Sequence, residues 1–536
     1  MRGALLVCLT LAACGDDPPT GPLAYHITHY DYTFDVESRA AHAEVTLAVD
    51  TGGDCFDIPF RADGAANATI DGDAVSAAPD GTKLMVCGTG YETGSTIKLG
   101  IDVQIKLATV GPSQVGYSVT QDTDGNKLYY LVSWVGGCDQ FGPCDSRPDQ
   151  FATYKFTVTH PASFKTRCPG TITEPSATQT VCDFTLAGGP TYSTFGVATY
   201  PAWTESDKGT WGGIKVTLYD RASTTINAAI DSAWHDGYMT WMQATFGPYP
   251  FGNELRVLTA PTYWSGFEHP GNIVLDDSLA KLTRPRYWSE TAHVLDHEIA
   301  HQWAGDQTTL KDTYDFVWKE SMAEYLAYVY EDMQDPAKSL VTARYWKTAA
   351  AAAEYFPVPG EKPALFDYYG DVYGEGPMIL FHQLETMYGR DKVIAALQKV
   401  LGKEQAIGVD DVIAALQETT GTDLSAYAAA WIHGSGAPDW PKYNVTFTPG
   451  SLSLTMMNKK STPRGCMFHV ALEGANTGES LVMTVDTRTA QDQTIPVAPL
   501  SFTVTKVTLD PYAECLVYKA SGTPRMIREN PWVSEH

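Results

Sequence analysis

The chain has 536 residues, with 37 basic against 63 acidic side chains and a formal net charge of −26. This balance excludes nucleic acid as a partner, because phosphate binding needs a basic face. An acidic surface keeps an exported protein soluble and self-repelling. At this length a single core does not suffice, and roughly two to four domains are expected.

In chain order, residues 1–14 read as a processing signal. Arg2 is a minimal basic region, Ala4 to Ala13 is apolar, and the run closes on Leu11-Ala12-Ala13-Cys14. A short apolar run with a small-residue cleavage site is a secretory signal rather than a membrane span. Residues 15–22, Gly-Asp-Asp-Pro-Pro-Thr-Gly-Pro, form a flexible tether. Ten cysteines are present. Cys8 leaves with the signal, and Cys14 is set apart at its end. The rest are Cys55, Cys87, Cys138, Cys144, Cys168, Cys182, Cys466 and Cys515, an even number that fits an oxidising compartment. Near neighbours suggest pairs 55–87, 138–144, 168–182 and 466–515, although spacing alone leaves the connectivity open.

Residues 23–208 carry strand-like alternation and dense β-formers with Gly/Asp/Asn turns between them. Examples are His26 to Val36, Ala43 to Val49 and Thr153 to Thr159, and the region is read as an all-β domain. Helical patterns dominate from Thr224 to Gly434 and define a domain over 209–440. They include Ile226 to Thr245, Val341 to Tyr355, Val393 to Leu401 and Val412 to Leu416. Alternation returns over 441–536, as in Leu452 to Met456 and Phe502 to Val507, which predicts a small β-sandwich.

Within the helical region, His297-Glu298-Ile299-Ala300-His301 reads His-Glu-x-x-His. Positions i and i+4 share a helix face, so both imidazoles can meet one ion. Glu298 sits where it can reach a water on that ion, the arrangement of a zinc peptidase. Such a site needs a third protein ligand and an open fourth position. Nineteen positions after His301 comes Glu320. It lies on a second predicted helix with Phe316, Trp318, Met322, Tyr325 and Val329 as its apolar face. A turn around Gly305-Asp306 brings the two helices together.

This spacing resembles the signature of the gluzincin aminopeptidases, the family of aminopeptidase N, and Gln302, Trp303 and Gly305 match its His-Gln-Trp-x-Gly extension. The resemblance implies a multidomain β plus α/β fold. An N-terminal all-β domain is followed by a thermolysin-like, mainly helical catalytic domain and here by a small C-terminal β-sandwich. It implies one Zn²⁺ per chain on His297, His301 and Glu320, with Glu298 as general base. Ser265-Gly266-Phe267-Glu268 is similar to the family's Gly-x-Met-Glu-Asn, whose acid binds the substrate α-amine and whose edge hydrogen-bonds substrate backbone. These roles fall on Glu268, Gly266 and Ser265. His269 has no ligand counterpart there. Val372-Tyr373-Gly374-Glu375-Gly376 resembles Val-Tyr-x-Lys-Gly, which assigns Tyr373 as oxyanion donor, with Tyr368 and Tyr369 as rivals. Gly247 to Phe251 and Phe141 to Pro148 also look like family segments. Leu-Ala-Ala-Cys resembles a bacterial lipobox and implies acylation of Cys14, hence a bilayer as partner and a cell-envelope lipoprotein, with plain secretion as the alternative.

Three departures stand out. The Asn before the third ligand is Lys319, the Lys after the tyrosine is Glu375, and the family's Gln-x-Glu aligns with Val132-Ser133-Trp134. The expected activity is hydrolysis of the N-terminal bond of peptides by metal-activated water. The departures keep open a zinc-bearing surface protein of little activity, or an endopeptidase. No pattern in the sequence fixes an oligomeric state.

Overall fold

The computed structural model describes residues 22–108, 116–221, 224–282, 286–374, 378–460 and 462–520. Cys14, the signal segment and Glu375 lie outside the described residues. Among those described, no helix is long and apolar enough to cross a membrane.

The N-terminal part is all-β. Its main sheet has eight strands, with Phe151–Thr159, Ala24–Asp35 and Ala40–Thr51 at the centre. Ala24–Asp35 runs parallel to Phe151–Thr159 and antiparallel to Ala40–Thr51. Burial alternates residue by residue along Phe151–Thr159, as a strand with one wet face requires. The inward side chains Tyr30, Tyr32, Tyr154 and Phe156 pack around Phe195. The four disulfides pair as spacing suggested, 55–87, 138–144, 168–182 and 466–515.

Strand Lys127–Val132 links this part to the next. Successive side chains of a strand point to opposite faces. Accordingly Tyr129 and Leu131 enter the N-terminal core, while Tyr130 and Val132 enter the core of the catalytic part. The chain therefore emerges at Ser133-Trp134 between the two cores.

The catalytic part opens on a five-stranded sheet, ordered 204–211, 214–220, 254–260, 272–276, 266–267. The strand Thr204–Trp211 pairs with Ile214–Asp220. The change of sheet thus falls at residues 201–203. Gly266–Phe267 is the antiparallel edge strand. The helical run expected over Ile226 to Thr245 is interrupted. Asp231 caps a new helix, Ser232–Phe246, by accepting from Ala233 and Trp234 amides, because an Asx side chain satisfies orphan N–H groups that a continuous helix would not expose.

Two helices carry the metal motif. Glu290–His301 is capped by Ser289, which accepts from the Ala292 amide, and every one of its residues is buried. Phe316–Gln334 is buried from Phe316 to Glu331. C-terminal strands form two sheets, of four and three strands, whose inner residues join the catalytic core. The alternation seen at Phe502 to Val507 becomes a strand only over Lys506–Leu509, where pairing with Leu472 and its neighbours begins.

A helix buried all round must pair each of its charges internally. His293 illustrates this. Its Nδ1 lies 2.6 Å from Glu331 Oε1 and its Nε2 2.8 Å from Glu324 Oε2, so both nitrogens carry protons. Burial works against that charge, but Glu331 and Glu324 outweigh it and push the imidazole up to about 10. The raised value means the contribution is complete below about 6.5, the unfolded value, and is lost as pH climbs through about 10. His293→Phe leaves Glu331 without its cation and Glu324 with His297 alone, and is expected to destabilise the protein by about 3–5 kcal/mol. Urea unfolding at pH 7 checks this. The gap between variant and wild type should narrow above pH 10, and a gap independent of pH would disprove the ion-pair account.

Candidate active site

The His-Glu helix and the Glu320 helix are joined by a turn at Gly305, whose φ of +152° lies in a region disfavoured for side chains. A Cβ at this position would also come within 3.0 Å of Lys319 Cε and 3.2 Å of His301 Nδ1. Glycine is therefore required both by the turn and by what packs against it.

Three ligand atoms converge between the helices. His297 Nε2 and His301 Nε2 are 2.8 Å apart, and Glu320 Oε2 lies 3.4 Å from the first and 3.5 Å from the second. Separations of this order suit a common ion at about 2.0–2.2 Å from each donor. His301 Nδ1 donates to the Ala304 carbonyl at 2.9 Å, which leaves the lone pair of Nε2 directed at the ion position. His297 Nδ1 lies 3.0 Å from Glu324 Oε1. Glu324 stands one turn after Glu320, on the same helix face. Among the described residues, His297, His301 and Glu320 are a group able to hold a metal ion.

Glu298 is buried beside them. Burial pushes its carboxyl up to about 8, with Glu268 and Glu320 adding to the shift and His297 opposing it. A bound cation acts in the opposite direction, favouring the carboxylate. The edge-strand glycine, Gly266, makes room for it, since a side chain there would overlap the Glu298 carboxylate.

Glu268 is buried near these groups. Gln302 holds its backbone, donating to the Glu268 carbonyl and to Asp306 Oδ2 while accepting from the Gly271 amide. Its carboxylate is not free. Lys319 Nζ lies 2.9 Å from Glu268 Oε1 and 2.7 Å from Glu320 Oε1. Burial alone would raise the Glu268 carboxyl, but Lys319 and His301 outweigh it and hold it at about 2. Lys319 points inward, at 2 % exposure, so a positive charge does stand beside the metal position. Ser265 Oγ accepts from Arg286. His269 turns away, with Nδ1 on the Ser193 carbonyl.

The described side chains do not include that of Tyr373. Of its rivals, Tyr368 spends its hydroxyl on the carbonyls of Pro357 and Tyr314, 2.6 and 3.0 Å away. Tyr369 faces the charges of Glu320, Lys319, Glu268 and Glu298, and burial together with the carboxylates keeps its hydroxyl protonated.

Sequence reasoning missed several participants. Trp134, at the position of the absent acid, packs 5.0 Å from Trp264, 4.9 Å from Tyr369 and 5.6 Å from Phe316. An aromatic wall thus stands there in place of a carboxylate. Tyr192 and Ser193 of the N-terminal part bind the Gly305 carbonyl and Asp306 Oδ1 at 2.9 and 2.7 Å. Glu324 and His293 carried a signal, four residues after Glu320 and four before His297. Trp134, Tyr192 and Ser193 carried none.

Comparison with known proteins agrees with this geometry. Residues 234–431 match the peptidase family M1 domain, and they include both histidines, Glu298 and Glu320. The chain therefore carries an M1 peptidase domain. Aminopeptidase N of Lactobacillus delbrueckii subsp. lactis is 26% identical over 228 residues, 39% of this chain and 26% of that protein. The chain thus aligns with about a quarter of that curated relative's length. Legionella pneumophila aminopeptidase A, solved in complex with aspartic acid, superposes with a TM-score of 0.73 at 15% identity. The match covers 92% of this chain and 59% of that one. The M1 zinc metallopeptidase of Deinococcus radiodurans, as an E323A mutant bound to a Tyr-Ser-Ala substrate, gives 0.63 at 19% identity over 77% and 96%. These likenesses show a shared fold.

If Glu324 orients His297, Glu324→Gln should weaken divalent-metal affinity about 10–100-fold, the usual cost of losing a carboxylate behind a ligating histidine. Competition with a chromogenic chelator measures it, and unchanged affinity would remove Glu324 from the metal's support.

Proposed function

We propose that the chain is a zinc-dependent aminopeptidase with one ion held by His297, His301 and Glu320. The observation carrying this reading is the convergence of those three ligand atoms at a buried position, with Glu298 and Glu268 buried nearby. Zinc in such a setting polarises a carbonyl and makes water nucleophilic near neutral pH. Glu298 takes the proton of the attacking water and returns it to the leaving amine. Tyr373 donates to the developing oxyanion. Gly266 and Ser265, on and beside the edge strand, align the substrate backbone. Glu268 anchors the substrate's free α-amine, so that the first peptide bond is the one presented to the ion position.

The ion pair between Lys319 and Glu268 favours the second reading, a zinc-binding protein of low peptidase activity. One set of measurements separates the two. Wild type should hold one zinc and release the N-terminal residue of a free peptide, losing both on chelation. His297→Ala should lose the metal. Glu298→Gln should keep it and lose turnover. A full complement of zinc in His297→Ala overturns the ligand assignment. Internal cleavage of an N-acetylated peptide, as fast as cleavage of the free one, points to an endopeptidase. Tyr373→Phe should lower kcat by about two to three powers of ten with little change in KM, and Tyr368→Phe should not.

For localisation, the apolar run ending in Leu11-Ala12-Ala13-Cys14 supports export and a diacylglyceryl-modified Cys14 at the bacterial cell envelope. Mass spectrometry of the mature N-terminus tests it. An unmodified start at Gly15 or later, in protein from the medium, indicates plain secretion.

A further inference from the structure

His269 follows Glu268 in the chain, and its ring is buried against the N-terminal part. Its Nδ1 bonds the carbonyl of Ser193, in the connection between strands Gln179–Pro190 and Gly196–Tyr200. A carbonyl only accepts, so the proton sits on Nδ1. Burial holds the imidazole below its ordinary value, against the pull of Ser193 and Glu268. The ring is therefore neutral, and among the described residues Nε2 has no hydrogen-bond partner. Gly196 makes room for it, since a Cβ there would overlap the imidazole. Phe267 stacks on the ring at 5.8 Å, with planes 9° apart.

The same connection grips the chain beyond the ring. Asn272 Nδ2 donates to the Gly196 carbonyl at 3.1 Å, and the Asn272 amide closes a turn on the His269 carbonyl at 2.8 Å. From the other side, Gln302 at the end of the metal helix donates to the Glu268 carbonyl at 2.5 Å. Glu268 thus stands between a hold from the metal helix and a hold from the N-terminal part. A group that meets a substrate charge must be kept within about 0.5 Å of its productive place by such supporting contacts. We propose that His269 is a positioning residue of the amine subsite: its Nδ1 bond to Ser193 fixes the backbone at Glu268, so that selection for a free α-amine depends on the joint between the N-terminal and catalytic parts. This role rests on Glu268 receiving the substrate amine, as under the proposed function.

The test uses the zinc-loaded chain with leucine 4-nitroanilide as substrate and 4-methylpentanoic acid 4-nitroanilide as competitor. The two differ in the α-amine alone. For each protein kcat, KM, the inhibition constant of the competitor and the zinc content are measured. In the wild type KM should lie at least about thirtyfold below the inhibition constant, the gap expected where a buried charge is left unpaired. His269→Leu should raise KM about ten- to a hundredfold, the cost of a group displaced by about 1 Å. Its kcat should stay within about threefold, and the inhibition constant and zinc content should not change. Asn carries its amide nitrogen near the place of Nδ1, and Gln carries its own near Nε2. His269→Asn should therefore keep KM within about threefold of wild type, while His269→Gln behaves like His269→Leu. Should His269→Leu fail to fold, the Asn and Gln pair decides. An unchanged KM in His269→Leu overturns the inference, as does a parallel rise of KM and inhibition constant, or an Asn variant as impaired as Gln. A different failure shows in the wild type alone. Turnover with KM no lower than the inhibition constant removes Glu268 as the amine anchor and the role of His269 with it. A zinc-bound wild type that hydrolyses no free peptide overturns the peptidase reading itself.

Discussion

The burial of the His-Glu helix along its whole length is the constraint on which the rest of the catalytic part depends. A half-exposed helix could leave its histidines and acids to water. This one cannot, and His293, Asp296, His297 and His301 each have a partner outside the helix. His293 lies between Glu324 and Glu331, Asp296 accepts from Trp234 and faces His235, His297 meets Glu324 and Glu320, and His301 donates to the Ala304 carbonyl. Paired charges of this kind contribute little net stability but are costly to break singly. They restrict the imidazoles to one orientation, and that rigidity is what a metal site requires.

The same constraint explains why the N-terminal β part belongs to the site. The turn that returns the chain from His301 towards Glu320 carries Asp306, a buried acid whose carboxyl is raised by burial and by Glu268. Ser193 donates to it, Tyr192 holds the adjoining Gly305 carbonyl, and Gln302 ties it to the Glu268 loop. The strand that feeds both cores leads into Trp134, which packs on Trp264, Tyr369 and Phe316. A peptidase domain cut out at the start of its own sheet would lack these contacts.

Lys319 shows how the direction of one side chain alters a site without disturbing its scaffold. A lysine pointing to solvent would have changed nothing. Pointing inward, it is surrounded by Glu268, Glu320, the Tyr192 ring and the Gly305 turn. It holds one oxygen of Glu320 while the other faces the histidines, and it also pairs with Glu268.

The chemistry of the site was legible in the chain because it is local. Two histidines at i and i+4, a glutamate between them and a second helix within twenty-odd residues follow from helix periodicity alone. The order of β, helical and β parts was legible for a similar reason, as strand and helix have different periods. Glu324 and His293 follow the same four-residue rule once the helices are known. The inward turn of Lys319, the aromatic wall in place of an acid, and the hold of Tyr192 on Gly305 were not legible. Tyr192 and Gly305 are 113 positions apart in the chain, and no periodicity spans that distance. A lysine beside Glu320 on a helix can face either solvent or cleft with the same local sequence. Which it faces depends on whether the N-terminal part covers that side of the helix, and that is set by packing between distant segments rather than by the residues on either side of it.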